Sequence, residues 1–114
     1  MILLDTDIII DMIKKREYEW GAISTITLIE ILRGLEENKR IKIKHLLEES
    51  FALLELNNKV VEAYCQLYHK LKKEGTLIPD TDLLIAATAI ANNIPLKTRD
   101  EHFQRLKDKG LKLA

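Results

Sequence analysis

The sequence predicts an α/β protein built as a single-domain parallel sheet with helices on both faces. Three observations carry this. Short apolar runs stop abruptly at polar residues, at Met1–Asp5, Gly21–Ser24, Phe51–Leu56 and Pro95–Thr98. Segments with helical apolar spacing lie between them, and no repeat, low-complexity tract or linker divides the chain. A short apolar run with a polar stop is the pattern of a buried strand, and strands alternating with helices form parallel sheets through crossover connections. A chain of 114 residues falls below the prior of about 150 residues per domain, so residues 1–114 are expected to form one domain.

Along the chain, Met1–Asp5 reads as the first strand and Ile8–Lys15 as a short helix. Gly21–Ser24 reads as a second strand. From Thr27, Leu28, Ile31, Leu32 and Leu35 recur at spacings of three and four, a helix that weakens at Gly34. Asn38–Arg40 marks a break before a helix over Ile41–Glu49. Phe51–Leu56 fits a strand, and Asn57 and Asn58 are cap residues for the next helix. In that helix Val60, Val61, Tyr64, Leu67, Tyr68 and Leu71 define the clearest amphipathic pattern, ended by a basic last turn and Gly75. After Pro79-Asp80-Thr81-Asp82, the Ala-rich stretch Leu83–Ala91 reads as a buried helix. Pro95–Thr98 is a strand, Arg99–Lys107 a polar helical turn, and Leu111–Leu113 an edge strand.

Composition narrows the function classes. With 46% hydrophobic and 32% charged residues the chain is an ordinary globular protein, which excludes a mostly disordered one. One Cys excludes an internal disulfide framework and Cys-based zinc sites. No transmembrane run or secretory leader is visible, so a cytoplasmic location without membrane association is expected. Lys+Arg and Asp+Glu are both 18, a formal net charge of +0, which argues against binding nucleic acid by bulk positive charge. An enzyme acting on nucleic acid stays open, because clustered acids can be offset by basic residues elsewhere. Aromatics are only 5%, so base stacking does not dominate recognition.

The positions of the acids carry the chemistry. In open α/β sheets ligands collect at the carboxyl ends of the strands. Asp5 directly follows the first apolar run and Asp100 follows Pro95–Thr98. Asp82 opens the Ala-rich helix, and Glu30 interrupts an apolar pattern between Ile29 and Ile31. Each has an ordinary structural explanation. Asp5 or Asp7 can cap the first helix, and Thr27-x-x-Glu30 matches a capping box. Asp80, Thr81 or Asp82 can cap the Ala-rich helix, and Asp100 the last helical turn. Helix caps need not recur after successive strands of one sheet, whereas a metal site needs that arrangement. Several close carboxylates repel unless a cation joins them, and oxygen ligands suit Mg²⁺ or Mn²⁺. Such ions support phosphodiester hydrolysis with water as nucleophile.

Four stretches together resemble the PIN-domain nucleases, and within them the small VapC-type toxins of toxin–antitoxin pairs. They are Ile2-Leu3-Leu4-Asp5-Thr6-Asp7, Thr25 through Gly34, Ile78 through Ala89, and Leu96 through Phe103. They occur in family order and span nearly the whole chain. The resemblance implies a PIN-like fold and a Mg²⁺- or Mn²⁺-dependent endoribonuclease with Asp5, Glu30, Asp82 and Asp100 as catalytic and metal-binding acids. It implies that Thr98 is the hydroxyl residue at the site, orienting an acid or water. It also implies a homodimer held inactive by a cognate VapB-type antitoxin. Asp7 departs from the Asn that many relatives carry, and either adds charge near the cleft or faces the first helix. Asp80 and Asp82 lie two apart; alignment favours Asp82 at the site and leaves Asp80 as a cap or a supporting residue.

Arg33, Lys97 and Arg99 flank the acids and are candidates for RNA phosphate contacts. The other basic runs, near Lys14–Arg16, Lys39–Lys44 and Lys70–Lys73, read as solvated helix faces. His45, His69 and His102 share no metal spacing and read as surface or structural residues. Cys65 is expected in the core, beside an apolar stripe. Tyr18, Trp20 and Ile23 are candidates for a partner surface. Two other readings compete. Asp5-Thr6-Asp7 after an apolar run resembles the first motif of haloacid-dehalogenase-type phosphatases, with Asp5 as phosphoryl acceptor, but leaves Glu30 unused. A non-catalytic PIN-like binding module would use the acids only as caps.

Overall fold

The structure, a computed structural model, describes residues 1–114. Its strands are β1 (Leu3–Leu4), β2 (Ala22–Ser24), β3 (Ala52–Leu54) and β4 (Leu96–Lys97). The α-helices are α1 (Thr6–Lys15), α2 (Thr25–Leu32), α3 (Glu37–Ser50), α4 (Asn58–Glu74) and α5 (Asp80–Ala91), and a 3-10 helix spans Glu101–Lys109. The sheet has order β3-β2-β1-β4 and every pairing is parallel. The chain therefore steps outward from β1 through β2 to β3, then returns to the other side of β1 with β4. That reversal makes the carboxyl ends of β1 and β4 the crevice where ligands of such sheets bind.

Alternation along strands of two or three residues divides the core. Leu3, Ala22 and Leu96 join a cluster with Val60, Leu67 and Leu71 of α4, Leu83 and Ile85 of α5, and Phe103. Leu4 and Ile23 face the opposite cluster, with Ile8, Ile9 and Met12 of α1, Leu47 of α3, and Phe51. Successive side chains of a strand point to opposite faces, so helices are needed on both faces, as expected. No helix is long and apolar enough to cross a membrane.

Several boundaries differ from expectation for local reasons. Helix α1 starts two residues early, at Thr6, because Asp5 caps it and accepts a hydrogen bond from the Thr6 amide. Helix α2 starts at Thr25 rather than Thr27, with Ser24 as the cap that accepts from the Thr27 amide. The Thr27/Glu30 capping box is therefore absent, and the Glu30 carboxylate is turned elsewhere. Asn38–Arg40 is no break but the exposed first turn of α3, since Glu36 stands at the cap. Asn57 caps α4 as expected, accepting from the Val60 amide. Helix α5 begins at Asp80, after Pro79, with no side-chain cap. Leu113 forms one parallel bridge to Leu96 instead of a strand. Cys65 is exposed, on the outer side of α4. Ile23 is buried in the sheet and unavailable to a partner, whereas Trp20 is exposed.

Gly21 permits the close approach of β1 and β2. A Cβ there would lie 2.8 Å from Leu4 Cδ1 and 3.0 Å from the Ile2 carbonyl oxygen. Leu4 is fully buried and has little room to yield. Overpacking of this kind costs about 1–3 kcal/mol. Gly21→Ala is expected to lower unfolding free energy by about that amount in urea denaturation, with the denaturant slope unchanged. A wild-type midpoint would show that the strand interface has slack there.

Candidate metal-binding active site

The site is built from backbone hydrogen bonds first. The Leu3 amide donates to the Pro95 carbonyl and the Asp5 amide to the Lys97 carbonyl, both within 3.0 Å. This ladder sets Asp5 beside Thr98, whose hydroxyl donates to Asp5 Oδ2 at 2.7 Å. The same Thr98 oxygen accepts from the Asp100 amide at 3.0 Å. Thr98 thus joins the two acids that follow β1 and β4. Asp100 in turn caps the 3-10 helix, its Oδ1 accepting from the His102 amide at 2.9 Å.

Glu30 enters from α2. Its Oε1 accepts from the Thr6 hydroxyl at 2.8 Å, and the Thr6 amide donates to Asp5 Oδ1 at 2.8 Å. Thr6 is therefore one residue with a hand on each acid. Its hydroxyl also lies 3.0 Å from that of Thr27, which is bonded to Ser24. Asp82 stands in the first turn of α5, half-buried, and faces Asp100 through His102. Helix α5 leads into β4, so its amino end reaches the same edge of the sheet as the carboxyl end of β4.

The electrostatics match a crowd of like charges. Burial raises the Asp5 carboxyl above its ordinary value of 3.8, against lowering by Thr98 and Thr6, with Asp7 and Asp100 raising it further. Asp82 is also raised, by burial first and then by the charges of Asp100 and Asp5, while the His102 imidazole lowers it. The donors around Asp5 and Glu30 are hydroxyls and amides, which orient carboxylates without cancelling their charge. A divalent cation would remove this repulsion, and the hard oxygen donors of Asp5, Glu30, Asp82 and Asp100 fit Mg²⁺ or Mn²⁺.

The remaining candidates divide. Asp7 is exposed on α1. Asp80 points away from the acids and accepts from the Tyr64 hydroxyl at 2.7 Å, which pushes the Tyr64 pKa up to about 12. Lys97 pairs with Glu19 at 2.6 Å and Arg99 with Asp11 at 3.0 Å. These pairs border a polar cavity of about 250 Å³ that also includes Tyr18 and Lys15. Arg33, at the end of α2, is exposed. Two residues escaped sequence reasoning. Thr6 stands in the first motif with no role of its own in the sequence reading; its role needs the fold to bring α2 alongside. His102 was set aside for lack of metal spacing, yet its Nδ1 lies 3.4 Å from Asp100 and 3.7 Å from Asp82. The only local signal was its position two residues after a helix-capping acid.

Comparison with known proteins points one way. The PIN domain family matches residues 2–109. Ribonuclease VapC1 of Methanocaldococcus jannaschii is 42% identical over 116 residues, covering 98% of this chain and 85% of that protein. A VapC1 ribonuclease of Rickettsia felis is 32% identical, covering 92% of this chain and 90% of its own length. Among solved structures, VapBC-1 from nontypeable Haemophilus influenzae superposes with TM-score 0.84 at 30% identity, covering 100% of this chain and 97% of that chain. VapBC2 from Rickettsia felis, bound to a DNA fragment from its promoter, superposes with TM-score 0.82 at 27% identity, covering 100% and 98%.

The raised carboxyls make a stability prediction. Because the folded-state pKa of Asp82 lies above the ordinary 3.8, the folded protein binds its proton more tightly than the unfolded chain. Ionisation therefore opposes folding increasingly as pH rises from the ordinary carboxylate range through the raised value. Asp82→Asn is expected to melt a few degrees higher than wild type at neutral pH in EDTA. The gain should shrink as pH falls through the raised value to below 3.8, as the Asp82 carboxyl takes up its proton in the folded and then in the unfolded chain. A variant melting below wild type at neutral pH would contradict this account.

Proposed function

The chain belongs to the PIN-domain family, and from that premise we propose that it is a metal-dependent endoribonuclease, the toxin of a VapBC-type toxin–antitoxin pair. The observation that supports the reading is the pair of threonines at the topological switch of the sheet: Thr6 bonds Glu30 and Asp5, Thr98 bonds Asp5 and the Asp100 amide, and Asp82 adjoins Asp100 across His102. Residues 1–114 act as one nuclease domain. Its partners are RNA as substrate, a VapB-type antitoxin as inhibitor and a second copy in a homodimer, all in the cytoplasm. The haloacid-dehalogenase-like alternative leaves Glu30 without work, and no observation favours it or a non-catalytic module.

Asp5, Glu30, Asp82 and Asp100 would hold the ion, Mg²⁺ or Mn²⁺. When bound, such an ion supplies Lewis-acid polarisation of the phosphodiester and neutralises its charge. The chain's own residues do the rest. Thr98 keeps Asp5 oriented through a hydroxyl and braces Asp100 through the same oxygen. Thr6 holds Glu30 against Asp5. Water would attack phosphorus as one ester P–O bond breaks, the leaving ribose oxygen taking up a proton to become a hydroxyl, and no side chain forms a covalent intermediate. Arg33 offers a free cation to the RNA backbone. Lys97 and Arg99 reach phosphate by exchanging Glu19 and Asp11 for it.

Loss of one carboxylate should abolish catalysis without unfolding the chain. Asp5→Asn and Asp82→Asn are each expected to cut RNA cleavage by about 100-fold or more, beyond the 10–100-fold typical of losing a group that merely orients a ligand. Circular dichroism should remain that of wild type. EDTA should stop cleavage, and added Mg²⁺ or Mn²⁺ should restore it. Unchanged cleavage in both variants would sink the catalytic assignment, and activity surviving thorough chelation would sink the metal.

A further inference from the structure

We propose that the His102 imidazole is itself a ligand of this site, making it a mixed nitrogen–oxygen centre that selects Mn²⁺ over Mg²⁺. The inference rests on the reading that the acids hold a divalent ion, and goes beyond it in naming a donor and a preference. One ligand atom each from Asp82, Asp100 and His102 lie within 4.8 Å of one another. Two ligands of an octahedral ion with bonds of about 2.1 Å stand about 3 Å apart when adjacent and about 4.2 Å apart when opposite. The His102 Nδ1 separations, 3.4 Å to Asp100 Oδ1 and 3.7 Å to Asp82 Oδ2, fall between these values. They are also longer than the 2.7–3.2 Å or so of an N–H···O hydrogen bond, so the ring's interaction with each acid is a weak one.

The backbone holds His102 in place. Its amide is bonded to Asp100, and the next residue, Phe103, is fully buried in the core. Nδ1 therefore faces the acids from a fixed turn, although the ring as a whole is about half-exposed. An imidazole nitrogen changes the selectivity of a carboxylate site. Mg²⁺ demands hard oxygen donors and keeps its water, whereas Mn²⁺, a first-row transition ion, takes an imidazole nitrogen more readily than Mg²⁺ does. An all-carboxylate site suits both Mg²⁺ and Mn²⁺.

The test uses the full chain, Mn²⁺ as the probe, and a readout independent of catalysis. Pulsed electron paramagnetic resonance of the Mn²⁺-loaded protein should show modulation from a directly bound ¹⁴N. His102→Ala should remove it and weaken Mn²⁺ binding about 10-fold or more, with Mg²⁺ affinity, from competition, unchanged within about twofold. His102→Gln, which keeps bulk and polarity, serves if the alanine variant folds poorly. Mn²⁺ bound by wild type without nitrogen modulation would overturn this inference and leave the acidic site standing. Modulation persisting in the variants would overturn it too. Failure of wild type to bind Mn²⁺ at all would overturn the underlying reading and this inference with it.

Discussion

The β1–β4 ladder is the contact on which the site depends. Two amide-to-carbonyl bonds, Leu3 to Pro95 and Asp5 to Lys97, bring together segments more than ninety positions apart. They do so at the point where the strand order reverses. Without that register, Asp5 and Asp100 would be two unrelated helix caps. With it, Thr98 touches both, and carboxylates that would otherwise separate in water are held close by the backbone. The core supplies the force that keeps the ladder closed, since Leu3 and Leu96 are buried in one cluster and Leu4 in the other.

Hydroxyls do the positioning around these acids. Ser24, Thr27, Thr6 and Thr98 form bonds that run from α2 across α1 to β4. A Lys or Arg in their place would orient a carboxylate equally well, but would also cancel its charge. Here the cations stand outside: Lys97 and Arg99 flank Thr98 in the chain, and both pair with acids of α1 and the segment after it. Burial first, and then the neighbouring acids, raises the proton affinities of Asp5 and Asp82. A net charge of zero thus conceals a local cluster of acids at the carboxyl edge of the sheet, with no Lys or Arg bonded to them.

Capping a helix and standing in the candidate site are not alternatives. Asp5 and Asp100 each cap a helix and each lie in the acidic crevice. Weighing a structural explanation against a chemical one is sound for a single residue, but a cap at the end of a strand already lies at the ligand-binding edge. Glu30 differs. The capping box that its spacing with Thr27 suggested was pre-empted by Ser24, which freed its carboxylate to meet Thr6.

Sequence alone determined the class of fold, the strand positions within a residue or two, and four acids as the residues of interest. These depend on local patterning: apolar runs, helical spacing, and acids at the ends of runs. Family resemblance reinforced the same four positions. Tertiary structure decided what depends on neighbours from elsewhere in the chain. It showed that Asn38–Arg40 forms the first turn of a helix, that Cys65 faces solvent, that Asp80 bonds Tyr64, and that Lys97 and Arg99 are paired. It also drew in Thr6 and His102. A side chain's partner is set by packing between distant segments, and one-dimensional spacing records only which face of its own element a residue occupies.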